Sequence, residues 1–163
     1  MSARPPLIAV CGASDARADE KRVATEVGTL LVGRGAVIVC GGVGGVMAAV
    51  AGAVRRAGGT CVGLLPGADA ADANADVTIA LPTGLGEMRN ALIARCCDGM
   101  IAVGGGYGTL SEIGFALRIG KPVVTLGSWD VHRPGDTGMD PALHPAGTAA
   151  DAVDWIMQRV PAR

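Results

Sequence analysis

The sequence predicts a three-layer α/β fold, in which a mostly parallel sheet of about six strands carries helices on both faces. Three observations carry that expectation. Short apolar runs alternate with stretches of helical spacing along the chain, the pattern of successive βαβ units. The runs are continuous in Val, Ile and Leu rather than alternating with polar residues, as strands buried on both faces require. Glycine clusters directly follow three of the runs, at the strand ends where open parallel sheets bind ligands.

Taken in order, residues 7–11 form the first strand, 17–33 a helix, 36–40 a strand, 45–57 a helix and 60–65 a strand. A turn-rich loop over 66–75 leads to a strand at 76–81, a helix at 85–97, a strand at 99–103, a helix at 109–119 and a strand at 122–126. Residues 127–145 hold three prolines and three glycines in nineteen residues, too long and irregular for an ordinary connection, and read as a loop or lid. The last helix, near 148–160, places Val153, Ile156, Met157 and Val160 on one side, to pack back on the sheet. The whole of 1–163 reads as one domain with a short tail over 1–6.

Composition narrows the function classes. Half of the residues are hydrophobic and only 18% are charged, with 2% aromatics and 26 glycines. Packing is therefore aliphatic, turns are tight, and part of the surface is expected to be an oligomer contact. A net charge of −1, with one Tyr and one Phe, offers nucleic acid neither a basic patch nor a stacking platform. No apolar run approaches the ~18 residues of a membrane span, and the few apolar residues after Pro6 fall short of an export core. A cytoplasmic protein with no nucleic-acid or membrane partner is expected. Cys11, Cys40, Cys61, Cys96 and Cys97 form no Cys-x-x-Cys pair and read as small buried hydrophobes. The acidic residues and histidines of the 127–145 loop have no metal-ligand spacing, so no metal site is expected.

The glycine-bearing loops are Gly12-Ala13-Ser14, Gly41-Gly42-Val43-Gly44-Gly45 and Gly104-Gly105-Gly106-Tyr107-Gly108-Thr109. The last is the most informative, because it opens a helix whose first-turn N–H groups can hold a phosphate. Familiar cofactor motifs fail on detail. No acidic residue follows a G-x-G-x-x-G at the spacing dinucleotide binding needs, no Walker sequence is present, and Gly-x-Ser-x-Gly is absent. Arg89, at the border of a stripe formed by Met88, Leu92 and Cys96, can emerge at the sheet's edge and clamp a phosphate. Glu112 stands one turn into the last glycine-loop helix, where Thr109-Leu110-Ser111-Glu112 also has the form of a capping box.

At these residues the chain resembles the LOG family of cytokinin-activating phosphoribohydrolases, small Rossmann-like proteins once labelled lysine decarboxylases. The family's P-G-G-x-G-T-x-x-E motif is matched by Gly105, Gly106, Gly108, Thr109 and Glu112; its arginine motif resembles Met88-Arg89-Asn90, and its G-G-x-x-G-x-M segment is similar to residues 41–47. The resemblance spans roughly residues 7–126. It implies a homodimer or homotetramer holding a small phosphorylated ligand, with Gly12, Ser14, Gly42, Gly45, Gly105, Gly106, Tyr107, Gly108 and Thr109 as ligand and phosphate contacts. It also implies that Arg89 and Glu112 cleave the N-glycosidic bond of a nucleoside 5′-monophosphate, a hydrolysis that requires no cofactor. Gly104 replaces the motif's leading proline, and Asn90 replaces the lysine that follows the arginine in LOG enzymes. Both changes resemble a related branch that includes molybdenum cofactor carrier proteins, whose glycine-rich pocket would hold a molybdopterin-type ligand without turning it over. Decarboxylation is disfavoured, since it normally needs pyridoxal phosphate on a lysine, and Lys21 and Lys121 lie in none of the glycine loops.

Overall fold

A computed structural model describes residues 4–160; residues 1–3 of the expected tail and residues 161–163 lie outside it. The chain forms seven strands, β1 (Leu7–Gly12), β2 (Val37–Cys40), β3 (Cys61–Leu65), β4 (Ile79–Pro82), β5 (Gly99–Val103), β6 (Val123–Leu126) and β7 (Leu143–Pro145). Five helices accompany them, α1 (Ala18–Gly33), α2 (Val46–Arg56), α3 (Arg89–Cys96) and α4 (Tyr107–Arg118) between strands and α5 (Ala149–Arg159) after β7. All strand pairs are parallel, in the order β4-β3-β2-β1-β5-β6-β7. This is the expected three-layer α/β architecture with one strand more than expected.

β1 lies at the centre because its residues can be buried from both sides: Ile8, Ala9 and Val10 are wholly inaccessible. One face is covered by α1, α2 and α5, whose Ala24, Val27, Leu31, Val50, Val54 and Ile156 pack on Ile8, Val10 and Ile38. The other is covered by α3 and α4, with Ile93, Ala94, Ile113 and Ala116 on Ala9, Cys11, Val39 and Met100. Helix α1 buries Ala24, Val27, Gly28 and Leu31, the spacing of a single helical stripe. Its entry is fixed by the Glu20 carboxylate, which accepts the Arg17 N–H at 2.8 Å. At α5, Thr148 Oγ1 accepts the Asp151 N–H at 3.1 Å as an N-cap.

The chain first builds outward from β1 to β4, then returns to place β5 on the other side of β1. The loops leaving β1 and β5 therefore diverge at their carboxyl ends, the position where open α/β sheets bind ligands.

Four expectations need correction. Residues 143–145, assigned to the loop, form edge strand β7 beside β6; three residues ending in Pro145 are too short to show as an apolar run. β4 begins at Ile79 rather than 76, because Thr78 Oγ1 instead accepts the Cys61 N–H at the strand's entrance. The helix expected over 85–97 starts as a 3-10 turn, Gly86–Met88, before α3, and it buries Asn90, Ile93 and Ala94 rather than the Met88, Leu92 and Cys96 stripe. Met88 is 75% exposed. Finally, α4 starts at Tyr107 with Gly106 as N-cap, so Thr109 lies inside the helix and the Thr109–Glu112 capping box does not form. Of the cysteines, Cys11, Cys40, Cys61 and Cys97 are buried and Cys96 is exposed. Among the described residues no helix is long and apolar enough to cross a membrane.

Candidate functional site

A cavity of about 430 Å³ opens at the divergence of the β1 and β5 loops, within the size range of small-ligand pockets. Gly12, Ala13, Ser14 and Asp15 come to it from the end of β1, and Gly106, Gly108, Thr109 and Glu112 from α4 and its glycine loop. Val43 and Met47 supply an apolar wall with Pro66, while Glu87, Arg89 and Asn90 close it from the start of α3. Five segments widely separated in sequence, near residues 12–15, 43–47, 66, 87–90 and 106–112, thus meet at one end of the sheet.

Helix α4 is displaced toward its N-terminus relative to expectation, and that displacement gives Glu112 its place. With the helix beginning at Tyr107, Thr109, Glu112, Ile113 and Ala116 fall on the buried stripe. Thr109 is 3% exposed and Glu112 7%. Burial raises the Glu112 carboxyl to a pKa of about 7, opposed by the Arg89 guanidinium and the Cys11 thiol. Cys11 itself is pushed well up by burial and by the neighbouring carboxylate. At neutral pH Glu112 therefore exchanges a proton readily, as a general acid or base must.

Arg89 turns inward over the carboxyl ends of β2 and β3. Its Nη1 donates to the Leu64 carbonyl at 2.7 Å, and it lies over Gly41, where any Cβ would overlap Nη1 and crowd Cζ. Gly41, the first residue of the G-G-x-x-G-x-M segment, thus leaves room for the guanidinium, a part the motif match did not assign to it. Among the described residues, Arg89 Nε is the buried side-chain polar atom left without a hydrogen-bond partner, the condition of a donor reserved for a ligand. Asn90, also 7% exposed, donates through Nδ2 to Ser111 Oγ at 3.0 Å and ties the start of α3 to the first turns of α4.

The ionisable lining consists of Arg89 with Asp15, Glu87 and Glu112. With one cation against three carboxyl groups, a phosphate entering this cavity must be met chiefly by backbone N–H groups. Those of Tyr107, Gly108 and Thr109 are available, because the first turn of a helix has no intrahelical acceptors for them and carries the positive end of its dipole. Gly105, at φ +97°, bends the chain into that turn, and a Cβ there would run into the Thr109 hydroxyl.

The other residues singled out by sequence divide between the cavity wall and its surroundings. Gly12, Ser14, Gly106, Gly108 and Thr109 line it. Gly42 packs on Gly63 and Leu65, and Gly45 on the Ala13–Ser14 backbone, so both shape neighbouring loops. Tyr107 points away with 83% of its surface exposed. Residues 127–145 contribute nothing to the lining. Asp15, Val43, Met47, Pro66, Glu87 and Asn90 complete the lining; Val43 and Met47 belong to the 41–47 segment and Asn90 to the arginine motif, while no local motif marks Asp15, Pro66 or Glu87.

The match of residues 5–150 to the model of the SLOG cluster4 family decides the kinship. The chain belongs to the SLOG cluster4 family. This SLOG chain is 37% identical over 131 residues to a cytokinin riboside 5′-monophosphate phosphoribohydrolase of Mycobacterium tuberculosis, covering 73% of this chain and 68% of that protein. Its fold superposes on the molybdenum cofactor binding protein of Rippkaea orientalis with a TM-score of 0.86 at 29% identity, covering 97% of this chain and 99% of that one. The molybdenum cofactor carrier protein of Chlamydomonas reinhardtii is similar, with a TM-score of 0.80, 32% identity and coverage of 96% and 98%.

Proposed function

We propose that this protein binds a nucleoside 5′-monophosphate in the cavity and hydrolyses its N-glycosidic bond to free base and ribose 5-phosphate. The observation that carries the reading is Glu112: a buried carboxyl titrating near 7, beside Arg89, in the same cavity as the unpaired amides of α4. The phosphate rests on the Tyr107, Gly108 and Thr109 N–H groups, which places the ribose across the cavity toward Glu112. Ionised Glu112 takes a proton from water as the water oxygen bonds to C1′, and its charge stabilises the oxocarbenium-like transition state. The C1′–N bond breaks with its electron pair passing to the base, which takes a proton from solvent, and Glu112 returns to solvent the proton it accepted from the attacking water. Arg89, fixed by Leu64 and given space by Gly41, holds the ribosyl group or the leaving base through its free Nε. The similarity to the M. tuberculosis enzyme supports this chemistry.

A second reading is a carrier that holds molybdenum cofactor by its phosphate on the same amides, without turnover. It is favoured by the near-complete mutual coverage with the two molybdenum cofactor proteins and by Asn90 in the place of the LOG lysine. In either reading we infer a homodimer or homotetramer, supported by the exposed apolar side chains of Leu85, Met88 and Phe115 on and beside α3 and α4; native mass spectrometry gives the copy number.

The deciding experiment follows free base and ribose 5-phosphate by chromatography during incubation with AMP and other nucleoside 5′-monophosphates, for wild type and Glu112→Gln. Release by the wild type alone establishes the hydrolase. Absence of release from every substrate by folded wild type overturns it, and binding of molybdenum cofactor then becomes the reading to measure.

A further inference from the structure

The segment after β6 does not cover the cavity, yet it grips the glycine loop from behind. Ser128 Oγ donates to the Gly104 carbonyl. Trp129 Nε1 donates to the Gly106 carbonyl at 3.1 Å, and the Trp129 ring lies 5.7 Å from that of Tyr107. Gly106 is the N-cap of α4 and lines the cavity, and its carbonyl also accepts the Leu110 N–H of the first helical hydrogen bond. In a trans peptide the C=O and the following N–H point in opposite directions. Holding the Gly104 and Gly106 carbonyls toward residues 128 and 129 therefore fixes the Gly105 and Tyr107 N–H groups away from them. Gly104 and Gly105 sit at φ +53° and +97°, a backbone that glycine alone adopts freely and therefore also leaves freely. An external hold is needed where the loop's own residues supply no stiffness.

We propose that Ser128 and Trp129 are positioning residues for the anion-binding amides: they set the peptide planes of the glycine loop so that its N–H groups converge on a phosphate. The proposal rests on the phosphate-binding reading of the cavity given above. It gives the 127–142 segment a task at the site without placing it over the ligand. Trp129 is half-buried against the α3 and α4 core, together with Val131 and Met139, so the hold is anchored in the fold rather than in a free loop. It also makes Trp129 a reporter, since its indole bonds to the same peptide whose N–H would face the ligand.

The test is calorimetric titration of the full chain with ribose 5-phosphate and, separately, inorganic phosphate, alongside thermal unfolding, for wild type, Ser128→Ala, Ser128→Thr and Trp129→Phe. Ser128→Ala and Trp129→Phe are expected to weaken ribose 5-phosphate binding roughly tenfold, the scale of one lost hydrogen bond. Ser128→Thr, which keeps the hydroxyl, stays within about twofold of wild type. Ligand addition changes the tryptophan emission of wild type and of Trp155→Phe but not of Trp129→Phe. Wild-type affinity in Ser128→Ala and Trp129→Phe overturns the positioning role, as does a loss in Ser128→Ala that Ser128→Thr shares. Failure of the folded wild type to bind either probe overturns instead the reading of the cavity on which the role depends.

Discussion

The two faces of the sheet are built from different materials. Beneath α1, α2 and α5 the packing is apolar, with Leu31, Val27, Val50, Val54 and Ile156 meeting Ile8, Val10 and Ile38. Beneath α3 and α4 the same sheet meets Ile93, Ile113 and Ala116, but these helices also bury Asn90, Thr109 and Glu112. Helices α3 and α4 also begin beside the cavity, where α4's first-turn amides are open. One face is closed by apolar packing, and the other buries polar and ionisable side chains beside the cavity. A carboxyl buried near a single guanidinium costs free energy whenever it ionises.

The comparison breaks most sharply at Glu112. Glu112→Gln should lower the rate of base release by about 10²- to 10⁴-fold, while thermal stability at pH 8 is unchanged or raised, because a neutral amide replaces an ion that burial disfavours. A loss of activity that simply tracks a loss of folded protein would erase the distinction between the faces. Leu31→Ala on the opposite face should behave in reverse. It opens a hole in a fully buried site and should cost about 2–5 kcal/mol of unfolding free energy in a denaturant titration, with the ligand affinity of the remaining folded protein unaltered.

A pH series sharpens the same contrast. Glu112 has a folded pKa near 7, above its ordinary value of 4.5, so its stabilising contribution is complete below about pH 4.5 and is lost as pH rises through 7. Unfolding free energy should therefore fall by about 3 kcal/mol between pH 4.5 and 8 on account of this residue, a slope that Glu112→Gln removes. Equal slopes in wild type and variant would mean that Glu112 is not the buried acid described. Gly41→Ala tests the support of Arg89: the new Cβ displaces the guanidinium from the Leu64 carbonyl and should reduce turnover at least tenfold with a smaller effect on stability. The smallest expected effect belongs to Asn90→Ala, which severs the Ser111 link at about 1 kcal/mol of stability.

Much of the scaffold was legible because central parallel strands leave a plain signature: Ile8-Ala9-Val10 and Met100-Ile101-Ala102 are apolar without alternation, and each is buried on both faces. β7 was not legible, since an edge strand of Leu143-His144-Pro145 needs neither length nor alternation once β6 offers it a partner. The cavity's glycine loops and the Arg89 and Glu112 pair could be picked out by motif, and both side chains come to the same cavity. The capping-box pattern misled because Thr-x-x-Glu fits equally well one turn inside a helix, and only the start at Tyr107 separates the two. Met88, Leu92 and Cys96 formed a stripe on paper, yet Asn90's hydrogen bond to Ser111 and Ile93's burial turn α3 the other way. Gly41 stands in a matched motif, but its proximity to Arg89 and the contacts of Ser128 and Trp129 with the glycine-loop carbonyls are three-dimensional, and no spacing in the sequence announces them.

The proposed hydrolysis turns on a phosphate held by the first-turn amides of α4 with the sugar facing Glu112. A crystal structure of the complex with ribose 5-phosphate tests it most directly. Phosphate oxygens are expected within hydrogen-bonding distance of the Tyr107, Gly108 and Thr109 nitrogens, with C1 turned toward the Glu112 carboxyl. A phosphate bound elsewhere, with those amides facing solvent, would contradict it.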